Sequence, residues 1–284
     1  MTTNTAQHWL NAARATGYAI PAFNAVNLET AQACVRAAEL EFAPMILQIS
    51  ENAARYAGLE LLAAIGRELR ATASVPVMLH FDHAETLESA KRALVLGFDM
   101  VMLEGGDLLP PAQIAALADL ADFAHARGAA LEAEFEVVGK GQREETHAQI
   151  TELATFVRES HCDALSVAIG SHHKETAKTS SLNLERLQQI ASSTGLPLVL
   201  HGASGVRDDD LQAAVKLGIA KVNVATELAL VFTDAVRGSL SGAALNDPRK
   251  YLGAGRDAMT ARARTIIQRL GASGKALQPH LGGA

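Results

Sequence analysis

Eight short runs rich in Val, Ile, Leu and Ala alternate with longer stretches of helical periodicity, and this alternation narrows the choice of fold more than any other feature. The runs fall at 18–23, 44–50, 75–81, 100–104, 129–134, 164–169, 197–201 and 220–224. Between them, 28–40, 59–71, 86–96, 111–127, 184–193 and 208–217 repeat apolar residues at helical spacing, as a helix with one buried face does. Strands that alternate with helices lie in a parallel sheet, with the helices as crossovers. Pro110 and Pro111 open one helix, and Gly97, Gly128, Gly195 and Gly218 stand where four others need a left-handed cap. An open doubly wound sheet would carry a glycine-rich phosphate turn after its first strand, but Pro21-Ala22-Phe23-Asn24 stands there. The pattern predicts an α/β chain with one domain over 1–284, a single (β/α)8 TIM barrel. A helix at 5–16 precedes it, a further helical region at about 248–270 follows, and the chain frays from Gly271.

Composition excludes several classes. With 49% of 284 residues apolar and 20% charged, the chain has the balance of a globular protein with a substantial core. The net charge of −6 is dispersed, and no run of Lys or Arg interleaved with aromatics offers a track for nucleic acid. Cys34 and Cys162 have neither metal-ligand spacing nor a CxxC pairing and read as reduced thiols. Residues 1–9 lack the order of a secretory signal, and no apolar run reaches the length of a membrane span. A cytoplasmic enzyme without a membrane partner is expected.

In a (β/α)8 barrel the strand C-termini converge on one mouth, so the residues at those ends are the candidates for chemistry. The third run ends in His80-Phe81-Asp82-His83, the fourth in Glu104, and the fifth carries Glu132 and Glu134. Ser171-His172-His173 follows the sixth run, the seventh leads through His201-Gly202-Ala203-Ser204, and the eighth holds Asn223. Histidines from three strand ends can meet above a closed barrel, and three neutral imidazoles with an open fourth position form a catalytic zinc site. In a regular strand His80 shares a face with Asp82, and the neighbours His172 and His173 diverge, so one of each histidine pair supports the other. Asp82 reads as a general acid/base or as an orienter of histidine. Glu104, Glu132 and Glu134 read equally as a second divalent or monovalent cation site, as salt-bridged barrel residues, or as both. Gly202 to Ser204, and Asn223-Val224-Ala225-Thr226 leading into the next helix, fall where this fold binds phosphate on exposed backbone N–H groups.

Taken together these residues resemble the class II, metal-dependent ketose-bisphosphate aldolases, the family of fructose- and tagatose-bisphosphate aldolases. The resemblance runs from Pro21-Ala22-Phe23-Asn24 nearly to the C-terminus, through Gln48-Ile49-Ser50-Glu51-Asn52-Ala53, His80-Phe81-Asp82-His83, Leu131-Glu132-Ala133-Glu134, Ala168-Ile169-Gly170-Ser171, Leu200-His201-Gly202-Ala203-Ser204-Gly205 and Lys221-Val222-Asn223-Val224-Ala225-Thr226-Glu227. It implies that His83, His173 and His201 hold a catalytic Zn2+ and that Asp82 exchanges the proton of the aldehyde-derived oxygen. It further implies that Asn24 and Ser50 touch substrate, and that Gly202 to Ser204 with Asn223 to Thr226 hold the phosphate of dihydroxyacetone phosphate. The substrate would be a phosphorylated sugar cleaved to dihydroxyacetone phosphate and an aldehyde, and the enzyme a homodimer or homotetramer.

Three positions depart from the family pattern. Lys174 replaces a glycine after the second zinc histidine, which offers a cation to a phosphate or carboxylate, and Glu104 replaces an aspartate. The segment Gly139-Lys140-Gly141-Gln142-Arg143-Glu144-Glu145 replaces a longer lid, leaving Glu136, Glu144 and Glu145 as alternative C3 bases. A singly phosphorylated ketose is thus as well matched as a bisphosphate. Two other readings are a Schiff-base aldolase on Lys174 and a catalytically silent accessory subunit.

Overall fold

Strands of a parallel barrel are covered by helices outside and packed side chains inside, so both of their faces are apolar. The computed structural model describes residues 5–104, 110–135, 148–171, 180–241 and 245–277. Its strands are β1 (Ile20–Asn24), β2 (Met45–Ser50), β3 (Val77–Ala84), β4 (Met100–Leu103), β5 (Ala130–Glu134), β6 (Ala164–Ser166), β7 (Leu198–Leu200) and β8 (Ile219–Val224). They pair in chain order, all parallel, and close where Ile20 to Phe23 lie beside Lys221 to Val224. The expected (β/α)8 barrel is the observed one, and each expected run coincides with a strand.

Around the strands lie α1 (Thr5–Thr16), α2 (Leu28–Leu40), α3 (Glu51–Ala57), α4 (Leu59–Thr72), α5 (Leu87–Val95), α6 (Pro110–His125), α7 (Ile150–Ser160), α8 (Leu184–Thr194), α9 (Asp208–Lys216), α10 (Thr226–Leu240) and α11 (Pro248–Arg269). Asn27 and Thr30 form a reciprocal capping box on α2, a device worth about 1 kcal/mol. Gly97, Gly128, Gly195 and Gly218 all have positive φ, as the expected helix ends require. Among the described residues no helix is long and apolar enough to cross a membrane.

Two features differ from expectation. A short helix, α3, starts directly at the end of β2, because the Ser50 side chain accepts from the Ala53 N–H at 3.2 Å and caps it. The stretch after Gly271 is tied down as far as 277 rather than frayed. Ala272 is fully buried, the Gly274 N–H donates to Glu41 O, and the Ala276 N–H donates to Phe42 O. The Glu41 carboxylate at the end of α2 collects Arg264, Gln268 and Ser273, which anchors this tail.

Register sets what the barrel mouth contains. Gln48 lies beside both Asn24 and His80, Ser50 beside Asp82, and Ala22 beside Asn223. Polar side chains on adjacent strands therefore share one layer near the C-terminal ends.

Candidate active site

Asp82 and His83 are consecutive, and a regular strand would send them to opposite faces. Between Phe81, paired with Val101, and Ala84, paired with Leu103, β3 has two residues where β4 has one. The extra residue is taken up with His83 at φ 54°, a left-handed conformation that histidine adopts at a cost. Both side chains consequently line the mouth. The His83 imidazole stands perpendicular to that of His201, with ring centroids 5.3 Å apart. Its Nε2 lies 3.7 Å from Asp82 Oδ2 and its Nδ1 lies 3.8 Å from Glu104 Oε2.

Beneath the mouth is a fully buried polar layer. Gln48 Nε2 donates to Asp82 Oδ2 at 2.9 Å and to Asn24 Oδ1 at 3.2 Å, which leaves Gln48 Oε1 to accept from His80 Nδ1–H at 3.0 Å. Burial, reinforced by the charge of Lys221, pushes His80 down to about 3, so its imidazole is neutral. Glu132 accepts from Lys221 Nζ at 2.7 Å on one oxygen and from His201 Nε2 at 2.9 Å on the other. Burial works against the Glu132 carboxylate, but Lys221 and the two histidines outweigh it and hold it ionised well below the usual range. His201 shows the converse balance. Burial opposes its charge, and the hydrogen bond and charge of Glu132 raise its affinity for a proton.

Asp82 is 3% exposed, and its Oδ1 has no hydrogen-bond partner among the described residues. Burial alone would raise its carboxyl, but His83, His80, His201 and Lys221 together bring it below the ordinary carboxylate value. A buried acceptor without a donor costs about 1–3 kcal/mol unless something else occupies it. Asp82, Glu132 and His201 each offer a ligand atom within 4.8 Å of the others. With Nε2–H donated to Glu132, His201 presents Nδ1 as a donor atom, the arrangement in which a carboxylate orients a metal-binding histidine. That nitrogen, with the His83 imidazole beside it, suits a divalent metal.

The opposite side of the mouth is built from backbone. Gly202, at φ 67°, opens a 3-10 turn over Ala203–Gly205, while Ala225 and Thr226 start α10. Asn24, Ser50, Asp82, His83, Glu104, His201, Gly202, Ser204, Asn223, Ala225 and Thr226 line one cavity of about 240 Å³. Ala203 and Val224 are buried in the elements that carry it. Glu132 lies below the cavity, in the ion pair that was one of its two expected roles. His173, Lys174, Glu136, Glu144 and Glu145 lie outside the described residues.

The family model for class-II fructose-bisphosphate aldolase matches residues 4–275. The chain belongs to the class-II fructose-bisphosphate aldolase family. It is 37% identical to the fructose-bisphosphate aldolase of Geobacillus stearothermophilus, over 95% of this chain and 97% of that protein. To the probable fructose-bisphosphate aldolase of Bacillus subtilis (strain 168) it is 36% identical, over 94% and 97%. Its fold matches that of a putative fructose-1,6-biphosphate aldolase from Coccidioides immitis with a TM-score of 0.89 at 30% identity, covering 97% of this chain and 99% of that one. The YdjI aldolase from Escherichia coli K12 gives a TM-score of 0.84 at 30% identity, over 95% and 98%. Membership places this aldolase among the carbon–carbon lyases.

Sequence reasoning gave no role to several residues of this aldolase's mouth. Gln48 and Lys221 sit inside quoted motifs, and the signal that could have found them is a polar residue in an otherwise aliphatic strand. Glu51 and Asn52 also line the cavity, because α3 starts at its edge, and so does Glu85, just past the end of β3. Glu85 is held in a bidentate pair by Arg55.

Proposed function

We propose that the aldolase reversibly cleaves the C3–C4 bond of a phosphorylated ketose, such as fructose or tagatose 1,6-bisphosphate, giving dihydroxyacetone phosphate and an aldehyde. One observation carries this reading: the bulge in β3 turns Asp82 and His83 together into a cavity that His201 and the backbone turns after β7 and β8 also line. His83 and His201, with His173, would hold a divalent metal, zinc by donor type. Bound there, the metal would act as a Lewis acid on the enediolate charge that cleavage leaves behind.

The residues of the chain do the rest, including the protonation of the enediolate at C3 that yields dihydroxyacetone phosphate, for which Glu136, Glu144 and Glu145 are the alternative donors. Asp82, kept ionised by its histidine neighbours, accepts the proton of the C4 hydroxyl in cleavage and returns it in condensation. Gln48 fixes one oxygen of Asp82, so the other faces the substrate. Ser204, Asn223 and the N-terminus of α10 take the phosphate, whose negative charge suits the backbone N–H groups there. Ser50 and Asn24 fix the sugar hydroxyls.

A retro-aldol screen of phosphorylated ketoses, with and without a chelator, tests the proposal. Cleavage that chelation abolishes and Zn2+ restores is expected. Cleavage that survives chelation, with borohydride trapping of substrate on a lysine, would replace this reading by the Schiff-base one. In the same screen Lys174→Gly should shift preference toward a bisphosphate, and an unchanged preference would remove Lys174 from specificity.

A further inference from the structure

The two ends of a bound ketose meet different parts of the mouth. With the phosphate of the dihydroxyacetone half at Ser204, Asn223 and the start of α10, and the C4 hydroxyl at Asp82 on β3, C5 and C6 run over the ends of β2, β3 and β4. Among the described residues this sector of the cavity lining holds Ser50, Asn52 and the carboxylates Glu51, Glu85 and Glu104, with neither Lys nor Arg. The guanidinium beside it is that of Arg55, one turn along α3 from Glu51. Its Nη1 and Nη2 donate to the two oxygens of Glu85, at 2.7 Å and 2.9 Å, and Nη2 also donates to Asn52 Oδ1. Glu51 Oε2 in turn accepts from the Glu85 N–H at 3.2 Å and from Ser89 Oγ at 2.8 Å, which fixes the Glu85 backbone at the rim.

A phosphate at C6 needs cationic donors, and the fork of an arginine matches it bidentately. Here that fork already holds a carboxylate. A second phosphate would have to displace Glu85 and then lie beside Glu51 and Glu104, and like charges brought together in one cavity weaken binding. The hydroxyls of an uncharged aldehyde meet no such conflict, because Asn52, Ser50 and the carboxylates can all accept from them. We propose that Glu85 is a specificity-determining residue: by engaging Arg55 it denies that guanidinium to a C6 phosphate, so the enzyme prefers ketoses phosphorylated at C1 alone, which release an uncharged hydroxyaldehyde. The inference rests on the aldolase reading given above and ranks its substrates, with bisphosphates the less efficiently cleaved. The Arg55 and Glu85 side chains are each half exposed, and such a pair contributes little to stability, so variants of either residue fold.

Steady-state cleavage by the intact Zn2+-loaded enzyme tests this, with fructose 1-phosphate and tagatose 1-phosphate set against the corresponding 1,6-bisphosphates. The readout is the ratio of kcat/KM for the bisphosphate to that for the 1-phosphate, which a purely structural loss, lowering both alike, would not move. Wild type should favour the 1-phosphate. Glu85→Ala frees Arg55 and removes a negative charge, and the ratio should rise about tenfold, the effect of a charge-assisted hydrogen bond reduced by screening at a half-exposed site. Glu85→Ala/Arg55→Met should bring the ratio back to within about threefold of wild type, because the freed guanidinium is what takes the phosphate. A wild-type enzyme that favours the bisphosphate overturns the inference and leaves the aldolase reading standing. So does a Glu85→Ala ratio equal to that of wild type, or a double variant that keeps the whole gain. Cleavage of none of these sugars by wild type overturns both the inference and the aldolase reading.

Discussion

At the N-terminal rim of the barrel Asp99 stands just before β4 and Asp163 just before β6. Asp99 Oδ2 accepts from the Leu79 N–H and from Arg70, each at 2.7 Å. Asp163 Oδ2 accepts from the Leu131 N–H at 2.7 Å and lies 2.8 Å from His125 Nε2. Both aspartates thus join a backbone N–H of the preceding strand to a basic residue of the helix that leads into that strand. At the C-terminal rim Asp82 is bound on one oxygen by Gln48, and its other oxygen is buried with no hydrogen-bond partner among the described residues. The same side chain serves stability at one rim and keeps an unfilled valence for chemistry at the other. Saturation of hydrogen bonds, rather than burial, separates the two roles, because all three aspartates are largely enclosed.

The contrast is sharpest at Asp82. Asp82→Asn keeps the shape and the bond from Gln48 through a carbonyl oxygen, and removes the proton acceptor. Turnover should fall about 10²–10⁴-fold, the range for a positioned general base. Thermal midpoint and metal content should stay at wild-type values. A variant with near-normal turnover would place the proton acceptor elsewhere in the mouth.

Gln48→Leu probes whether the polar layer of the C-terminal rim also supports the fold. The change strips Asp82 Oδ2 and His80 Nδ1 of their shared partner, so two buried polar groups lose hydrogen bonds at once. A stability loss of about 3 kcal/mol is expected in urea titration, with turnover down about tenfold as Asp82 loses its orientation. Lost stability with intact turnover would make Gln48 a purely structural residue and blur the difference between the rims.

Asp163→Ala is the complementary change at the N-terminal rim. It leaves the buried Leu131 N–H without an acceptor, for a loss of about 1–3 kcal/mol. Turnover per folded molecule should not change. Reduced turnover in the folded fraction would mean that strain at this rim reaches the mouth along β5.

How far the sequence reveals each rim follows from the same physics. Strands buried on both faces appear as Val, Ile and Leu runs, and α2 shows its limits because Asn27 and Thr30 are capping residues. The residues at the mouth could be read because a barrel gathers its strand ends and because their motifs resemble an aldolase family. The bulge could not: nothing in Phe81-Asp82-His83-Ala84 marks a register slip, and no glycine signals the positive φ that His83 adopts. Gln48 and Lys221 escaped for a different reason. Their importance lies in partners on other strands, 34 residues away for the pair Gln48 and Asp82 and 89 for Lys221 and Glu132, and single-strand patterns carry no such information.

The sequence of the tail after α11 likewise carries no mark of its anchoring, and the tail offers the smallest test of the comparison. Ser273 Oγ donates to Glu41 Oε2 at 2.8 Å, but Glu41 also accepts from Arg264 and Gln268. Removing the hydroxyl in Ser273→Ala leaves the Glu41 charge paired through Oε1, and the loss should be near the value of one hydrogen bond, about 1 kcal/mol. A small shift of the urea midpoint with unchanged turnover is expected, since residues 271–277 contribute nothing to the cavity lining. A loss near 3 kcal/mol would show instead that the Gly274 and Ala276 backbone bonds to Glu41 and Phe42 depend on Ser273, and that the tail opens as one unit.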